Sequence, residues 1–506
     1  HDTYYVYDDY GNLTYVLPPK MDATTSTLAE LQGELDELGY QYVYDHRNRL
    51  VEKKVPGKGL EYIVYNKLDQ PVMTQDAVMR ANGQWLFTKY DAFGRVAYTG
   101  MADLTVGREQ AQSNVENAAA QYEEPDNGYY TYDTYPSIAI TPNEGYTMNF
   151  YDNYDFDLNG YTIPTTVLGQ DVSMDVKGLP TAITTRVLVD GPERWVLTLM
   201  LYDDKGRVIL TGTINEYLGT MEIVETELDF VGRAVRTRTM HSRGTDVVVT
   251  IDNYEYDHVG RLLKHTQCIG DHTMGESCTG PGELIAYNEY DDLGQLVQKK
   301  VGGAPGTTYA LTDGLQTVDY AYNIRGWLKS INQDQDNTDN DLFDFGISYN
   351  DPQHGGVPQY THNVAETEWK TANDNVTRWY SYGYDALYRL ENAVSHNGNY
   401  DVSLSYDKMG NIQSLARNGW QNGSPYADMD VLDYDYDNGN KLLRVTDTGN
   451  TGYGFKDGNT SGDDYEYDGN LNMTVDRNKG ITSITYNHLN MPTNTTVVGS
   501  NAGTLD

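Results

Sequence analysis

Short runs of β-branched and aromatic residues recur along the chain. Val43-Tyr44, Tyr62-Ile63-Val64-Tyr65 and Val247 to Ile251 are of this kind, and each has the length of a strand. Polar and apolar positions alternate at Asp252 to Tyr256 and at Asp433 to Tyr436, the period of a half-buried strand. Two segments depart from this pattern. Ser26 to Leu38 has apolar residues at 28, 31, 35 and 38 behind a Ser/Thr cap, and Thr105 to Tyr122 is rich in Ala, Gln and Glu. Both predict helix. The fold class expected is all-β with minor helical inserts.

A seven-residue phrase, Tyr-Asp-x-x-Gly-Arg-Leu, punctuates these runs. Its clearest copies start at Tyr90, Tyr202, Tyr256 and Tyr290. Weaker copies start at Tyr7, Tyr44, Tyr65, Met174, Leu228, Tyr322, Tyr384, Tyr406, Tyr436, Tyr467 and Tyr486, making 15. Most intervals are about 20 to 35 residues, with longer gaps from Tyr90 to Met174 and from Tyr322 to Tyr384. The second position is always Asp or Asn, whose side-chain oxygen accepts from backbone N–H groups two or three residues on and so opens a type I turn. The fifth position is Gly in 9 copies, Asn at 48, 440 and 490, and Asp at 69, all residues that tolerate positive φ. Asp91 and Gly94, Asp203 and Gly206, Asp257 and Gly260, Asp291 and Gly294, and Asp407 and Gly410 mark these two positions.

A type I turn followed by a left-handed residue makes a three-residue hairpin loop with a bulge. Cross-strand partners follow: in the copy at Tyr256, Asp257 faces Arg261 and Tyr256 faces Leu262. Each such pair contributes ~0.2–1 kcal/mol, and an array of hairpins sums these small gains. Tyr388 and Leu471 occupy the permissive position in two copies, so strained or altered turns are expected there.

Charge narrows the function. The chain carries 74 acidic against 36 basic side chains, a net charge of -38, which argues against nucleic acid or an anionic membrane surface as partner. No apolar run approaches the ~18 residues needed to span a bilayer, so direct membrane insertion is not expected. Tyr numbers 45 against 8 Phe, an excess suited to half-exposed β surface, where the ring packs and the hydroxyl meets water. No signal peptide opens the chain, and the strand-like start at residue 1 suggests that a preceding part was removed or not covered.

The repeated YDxxGR phrase resembles the YD repeat of the RHS family, which includes bacterial polymorphic toxins, the C component of insecticidal toxin complexes, and teneurins. The resemblance covers nearly the whole chain outside 101–173. It implies hairpins pairing side by side into a strip that spirals into a hollow shell, enclosing a C-terminal effector in the toxins and serving as an extracellular scaffold in teneurins. The phrases at 42–58, 178–188 and 369–375 resemble large secreted RHS-repeat proteins of surface-associated Gram-negative bacteria. That implies export through a dedicated outer-membrane channel and a secreted or cell-surface location. The family's C-terminal core motif, with its self-cleaving aspartyl protease residues, is not visible here. The organisation expected is N-terminal repeats over 1–100 with a helix at 26–38, a non-repeat insert over 101–173 with a helix near 105–122, and the main repeat array over 174–506. About 30 strands at ~4.8 Å give a strip of roughly 140 Å, enough for about one turn of a shell ~35 Å wide inside, with sheet edges left exposed.

Candidate chemistry is sparse. Asp155-x-Asp157-x-Asn159-Gly160 has the spacing of a calcium loop, although Thr166 stands where the bidentate Glu is expected. Asp334, Asp336, Asp339 and Asp341 form a second acidic run; the alternative for both is a solvated acidic loop. Cys268 and Cys278 lie in one polar segment, and a local disulfide, two free thiols or a metal site with His265 and His272 are the three readings. His354 and His362 read as loop histidines. Tyrosines beside Asp and Asn would suit stacking on a glycan, but most are committed to the repeats. No GxSxG, HExxH or phosphate-binding loop is present, so no enzyme and no cofactor other than calcium is expected. The function expected is a non-enzymatic shell scaffold whose partner is its own C-terminal effector. The alternatives are a surface adhesion module and a secretion substrate bound to outer-membrane export or anchoring proteins.

Overall fold

The computed structural model describes all residues except 1, 22–26, 127, 139–144, 157, 159, 190–191, 272–274, 276–277, 279–281, 304–313, 334–340, 423, 500–502 and 506. Half of the chain is strand and 6% is helix. One sheet of 28 strands runs from Tyr4–Tyr7 to Leu442–Asp447. Its neighbours follow chain order and pair antiparallel, as Ala234–Arg243 does with Asp246–Tyr256 and Asp246–Tyr256 with Leu262–Gly270. Two two-stranded ribbons, Pro125–Asp126 with Tyr129–Tyr130 and Thr166–Val167 with Gln170–Asp171, lie outside the strip.

A five-stranded sheet from Tyr465–Tyr467 to Gly503–Leu505 continues the strip across a gap in the ladder. There the fully buried Asp464 carboxylate accepts from the Val445 N–H (2.8 Å), while the Asp464 N–H donates to the Leu443 carbonyl (2.7 Å). A side chain thus takes the place of one backbone rung.

The strip curls until its last hairpins stand on its first. Lys20 Nζ donates to the Gly439 carbonyl (2.9 Å), and the Gly59 N–H donates to the Gly469 carbonyl (2.9 Å). The Val78 N–H donates to Asn470 Oδ1 (3.4 Å), and His488 stacks on Tyr146 with ring centroids 3.9 Å apart. About 25 strands separate the touching segments, so at ~4.8 Å per strand the circuit is roughly 120 Å, or ~38 Å across. The contact is a stacking of rims rather than a strand ladder, so the sheet is not closed. Among the described residues Tyr4–Tyr7 pairs with Leu13–Leu17 alone, and its four side chains are exposed, as expected of an open sheet edge.

The helices are short. Leu28–Leu38 starts from Thr27, whose hydroxyl and the Glu30 carboxylate form a reciprocal capping box. Arg108–Asn117 is the core of the helix expected over 105–122, and Ala77–Asn82 was not expected. Six residues behind the Asp76 cap are too few for a periodic signal.

A second layer covers one stretch of the strip. Helix Arg108–Asn117 and the segment to Ile138 pack on Val64, Met73, Trp85, Phe87 and Tyr98. The segment 154–176 packs on Ala182, Leu199, Leu201, Ile209 and Leu210. Both cover the same face, because Tyr98 pairs with Met148, Phe150 with Ala182, and Ala182 with Leu199. Full burial of Trp85 or Phe87 contributes on the order of 2–3 kcal/mol each. Within 101–173, Gly145–Tyr151 is itself a strand of the large sheet, pairing with Val96–Asp103 on one side and Pro180–Val187 on the other.

Candidate functional site: a clasp repeated along one rim

The turn apexes line one rim of the strip, and the copy at Tyr256 shows how those with Arg at the sixth position are closed. Asp257 Oδ1 accepts from the N–H groups of Val259 (3.0 Å) and Arg261 (2.8 Å), and Oδ2 accepts from Arg261 Nε (2.6 Å). Gly260 sits at φ 94° and its N–H donates to the Asp257 carbonyl (3.1 Å). The ladder shifts by one residue at Tyr256, which pairs with Leu262. Asp203, Asp229 and Asp385 are held by the same three bonds. At Asp257 partial desolvation raises the carboxyl pKa, but the bonds from Arg261 and Val259 outweigh it and bring the pKa down to about 2.

Several clasps also grip the next hairpin. The arginine's second arm reaches the carbonyl of the following turn's Asp or Asn, as from Arg207 Nη1 to Asp229 (3.1 Å), Arg389 Nη1 to Asp407 (3.0 Å) and Arg49 Nη1 to Asn66 (3.2 Å). Its guanidinium lies over the following Tyr, 4.7 Å from the Tyr290 centroid for Arg261 and 4.6 Å from that of Tyr406 for Arg389. That Tyr in turn donates its hydroxyl back to the seventh residue of the preceding phrase. Tyr65 to Leu50, Tyr90 to Pro71, Tyr256 to Ala234, Tyr290 to Leu262, Tyr406 to Leu390, Tyr436 to Ile412 and Tyr467 to Leu442 all span 2.7–3.0 Å. Burial pushes the phenol pKa up at most of these rungs, to about 12 at Tyr467. The sequence displays both ends of the rung at positions one and seven, but the two lie in different copies, and pairing within one copy accounts for the Tyr without it.

The two departures from the permissive position keep the turn. Tyr388 and Leu471 lie at φ 62° and 65°, so strain is present and the geometry is unaltered. The copy at Tyr436 is the one that changes. Asn440 is not left-handed, and its turn presses on the first helix, where a Cβ on Gly439 would meet the Glu37 carbonyl at 3.0 Å.

The two long intervals in the repeat are split copies. Met174 does not open a hairpin: Pro180 pairs with Tyr151 instead. The Gly178 N–H donates to Asp152 Oδ1 (2.6 Å), Arg95 grips the Asp152 carboxylate with both arms (3.0 and 2.6 Å), and the Tyr151 hydroxyl reaches the Val96 carbonyl (3.0 Å). The phrase therefore begins at Tyr151-Asp152 and ends at Gly178-Leu179-Pro180, with 153–177 inserted in its apex. Tyr349-Asn350 and Val364 form a second split copy. The Tyr349 hydroxyl donates to the Leu328 carbonyl (3.1 Å), and the next rung, from Tyr384, lands on the Val364 carbonyl (2.8 Å). Buried Glu366 fixes the insertion by accepting from the N–H groups of Gln353, His354 and Gly356. His354 stacks on Trp379 and contacts Glu368 Oε2 (3.0 Å), and His362 stacks on Trp327.

Asp155 is exposed near the start of the first insertion, its N–H donating to Asn153 Oδ1 (2.9 Å). It borders a cleft of about 230 Å³ shared with Arg95, Tyr129, Tyr130 and Asp152. Asp157 and Asn159 lie outside the described residues, as do 334–340 of the second acidic run. Among the described residues no cluster of three His, Cys, Asp or Glu is arranged to hold a metal. Cys268 and Cys278 form a disulfide. His265 contacts Asp252 Oδ1 (2.6 Å), while His272 lies outside the described residues.

A buried lysine also escaped the sequence reading. Lys89 is 1% exposed, and its ammonium donates to the Thr134 carbonyl (2.8 Å), Thr134 Oγ1 (2.7 Å) and the Pro136 carbonyl (2.7 Å). Glu123 lies 3.8 Å away. Desolvation brings the Lys89 pKa down to about 7, with Glu123 opposing the shift. The signal was its phase, since Lys89 follows Trp85 and Phe87 at alternate positions of one strand.

No protein-family model and no curated protein matches the chain. Among solved structures, the TcdB2-TccC3 complex without its hypervariable C-terminal region is similar over 99% of this chain, at 13% identity and a TM-score of 0.50. The chain spans 21% of the length of that one. The TcdB2-TccC3 complex is matched over 98% of this chain at 12% identity, with a TM-score of 0.30 and 28% of that chain covered. The fold is RHS-like: a strip of antiparallel hairpins forming a curved wall.

Proposed function

We propose that the chain is part of the wall of a YD-repeat shell of the RHS family, a non-enzymatic scaffold in a large secreted or cell-surface bacterial protein. In this reading the wall encloses or presents a C-terminal effector that lies outside these 506 residues. The observation that carries it is the return of the strip onto its own first hairpins after roughly 25 strands, which bounds a space instead of filling a core. The clasps and rungs support it, because their geometry serves the wall and leaves few of their polar groups free. A disulfide suits an oxidising compartment, in keeping with export. The likeness to a toxin-complex structure supports a cargo as the partner.

Small-angle scattering and limited proteolysis of the purified chain test the reading. A hollow particle, resistant to cleavage within the hairpins, is expected. A solid globule, or ready digestion throughout the repeats, would overturn it.

A further inference from the structure

The rim of apexes carries exposed apolar side chains, of which Phe230 has the Lys205 ammonium over one ring face, 4.8 Å from the centroid. On four consecutive hairpins the tips present Phe230 (87% exposed), Val259 (63%), Leu293 (86%) and Ile324, which is fully exposed. Neighbouring apexes are two strands apart, so the row runs roughly 30 Å at ~10 Å spacing. Hairpin tips need only Asp, Gly and their backbone bonds to form, so the turn chemistry does not call for these side chains. An exposed apolar side chain on each of four successive tips fits an interaction surface.

The molecule already shows what such tips dock on. Where the strip meets itself, the tips at Gly469-Asn470 and His488 stand on the opposite rim, where successive hairpins are connected: Gly59, Val78 of the short helix and Tyr146 at the start of its strand. Asn470, at the same phrase position as Val259 and Leu293, is 6% exposed there. Along the middle of the strip both halves of that contact are present and uncovered. The loop rim there presents Tyr217, Leu218, Ile269 and Leu315, each more than half exposed.

We propose that the apex row around Phe230, Leu293 and Ile324 docks on the loop rim of a second copy of the chain, stacked coaxially as the last hairpins stack on the first. The contact is heterologous, apex rim to loop rim, so it does not close after two copies. It depends on the ring geometry and not on cargo or export.

Sedimentation velocity of the 506-residue chain over about a hundredfold range of concentration tests this. Species of two copies and more that grow with concentration are expected. The triple variant Phe230→Ser, Leu293→Ser, Ile324→Ser weakens association at least about tenfold with Tm unchanged, and Leu218→Ser with Leu315→Ser does the same from the other rim. Tyr5→Lys, on the open edge strand, leaves association intact. A single-copy species at every concentration, rim variants that associate like the parent, or loss of association in Tyr5→Lys would each overturn the proposal. A hollow particle that stays single-copy would remove this inference alone and leave the shell reading standing.

Discussion

The stretch Glu61 to Asn215 and the stretch Thr220 to Val301 use the same turns but differ in how much lies over them; on the second lie Gln170, bonded to Thr226 and Leu228, and Cys278, against Ile251 and Asn253. In the first, a second layer buries Trp85, Phe87, Tyr98, Leu201 and Ile209 to under 2% exposure. In the second, the fully buried apolar side chains among the described residues are Val249 and Ile251, and the sheet is also laced by Glu225–Arg238 (3.0 Å), Glu227–Arg236 (2.8 Å), clasps and rungs. One hairpin grammar therefore serves two kinds of wall. Burial stabilises the covered stretch, and many small polar contacts stabilise the wall where it is barer. The bare wall gains because its Tyr hydroxyls and Arg arms are fixed by the turn that precedes or follows them, so little extra ordering is needed per bond.

Substitutions sharpen this contrast. Trp85→Ala should cost about 3–5 kcal/mol and lower Tm in a cooperative unfolding measured by calorimetry, because it opens a cavity in the covered stretch. Lys89→Ala should follow at about 3 kcal/mol, since it removes three buried hydrogen bonds and leaves Glu123 without its cation. A loss as small as that of a bare-wall rung would show that the second layer is not cooperative with the sheet. Tyr256→Phe should cost about 1 kcal/mol, with faster hydrogen exchange confined to 234–264. Spread of the effect beyond the neighbouring hairpins would refute the nearest-neighbour picture.

Acid should separate the two stretches as well. The clasp carboxyls titrate below their ordinary value, Asp257 at about 2 and Asp203, Asp229 and Asp385 in the same direction. Their contribution is complete above the unfolded pKa of 3.8 and is lost as pH falls from there towards about 2. Hydrogen exchange at pH 2–3 should therefore open the bare hairpins before the covered ones. The smallest effect has the opposite sign: Tyr388→Gly should stabilise by up to about 1 kcal/mol, because it relieves a left-handed side chain that is exposed in any case.

The hairpins were legible because their turn chemistry is local: Asp257, Gly260 and Arg261 act within five residues. What was illegible acts across longer separations. The rung from Tyr256 ends 22 residues back at Ala234, and nothing in a single phrase requires it. The split copies hid because 153–177 separates Asp152 from Gly178, and Met174-Asp175 supplied a plausible false start. Lys89 and Glu123 came together only through the fold of the second layer. The calcium spacing at Asp155 remains a pattern of sequence, since two of its three residues lie outside those described.

The split copies also say something about how such a chain can vary. At Asp152 and Asn350 the tip of a hairpin is opened to admit a sizeable excursion, while the strands on either side keep their alignment and their tyrosine still reaches its neighbour. Foreign sequence grafted at another tip, between Asp203 and Gly206 for example, should be accepted in the same way. Growth and diversification can then proceed outward from the rim without renegotiating the framework.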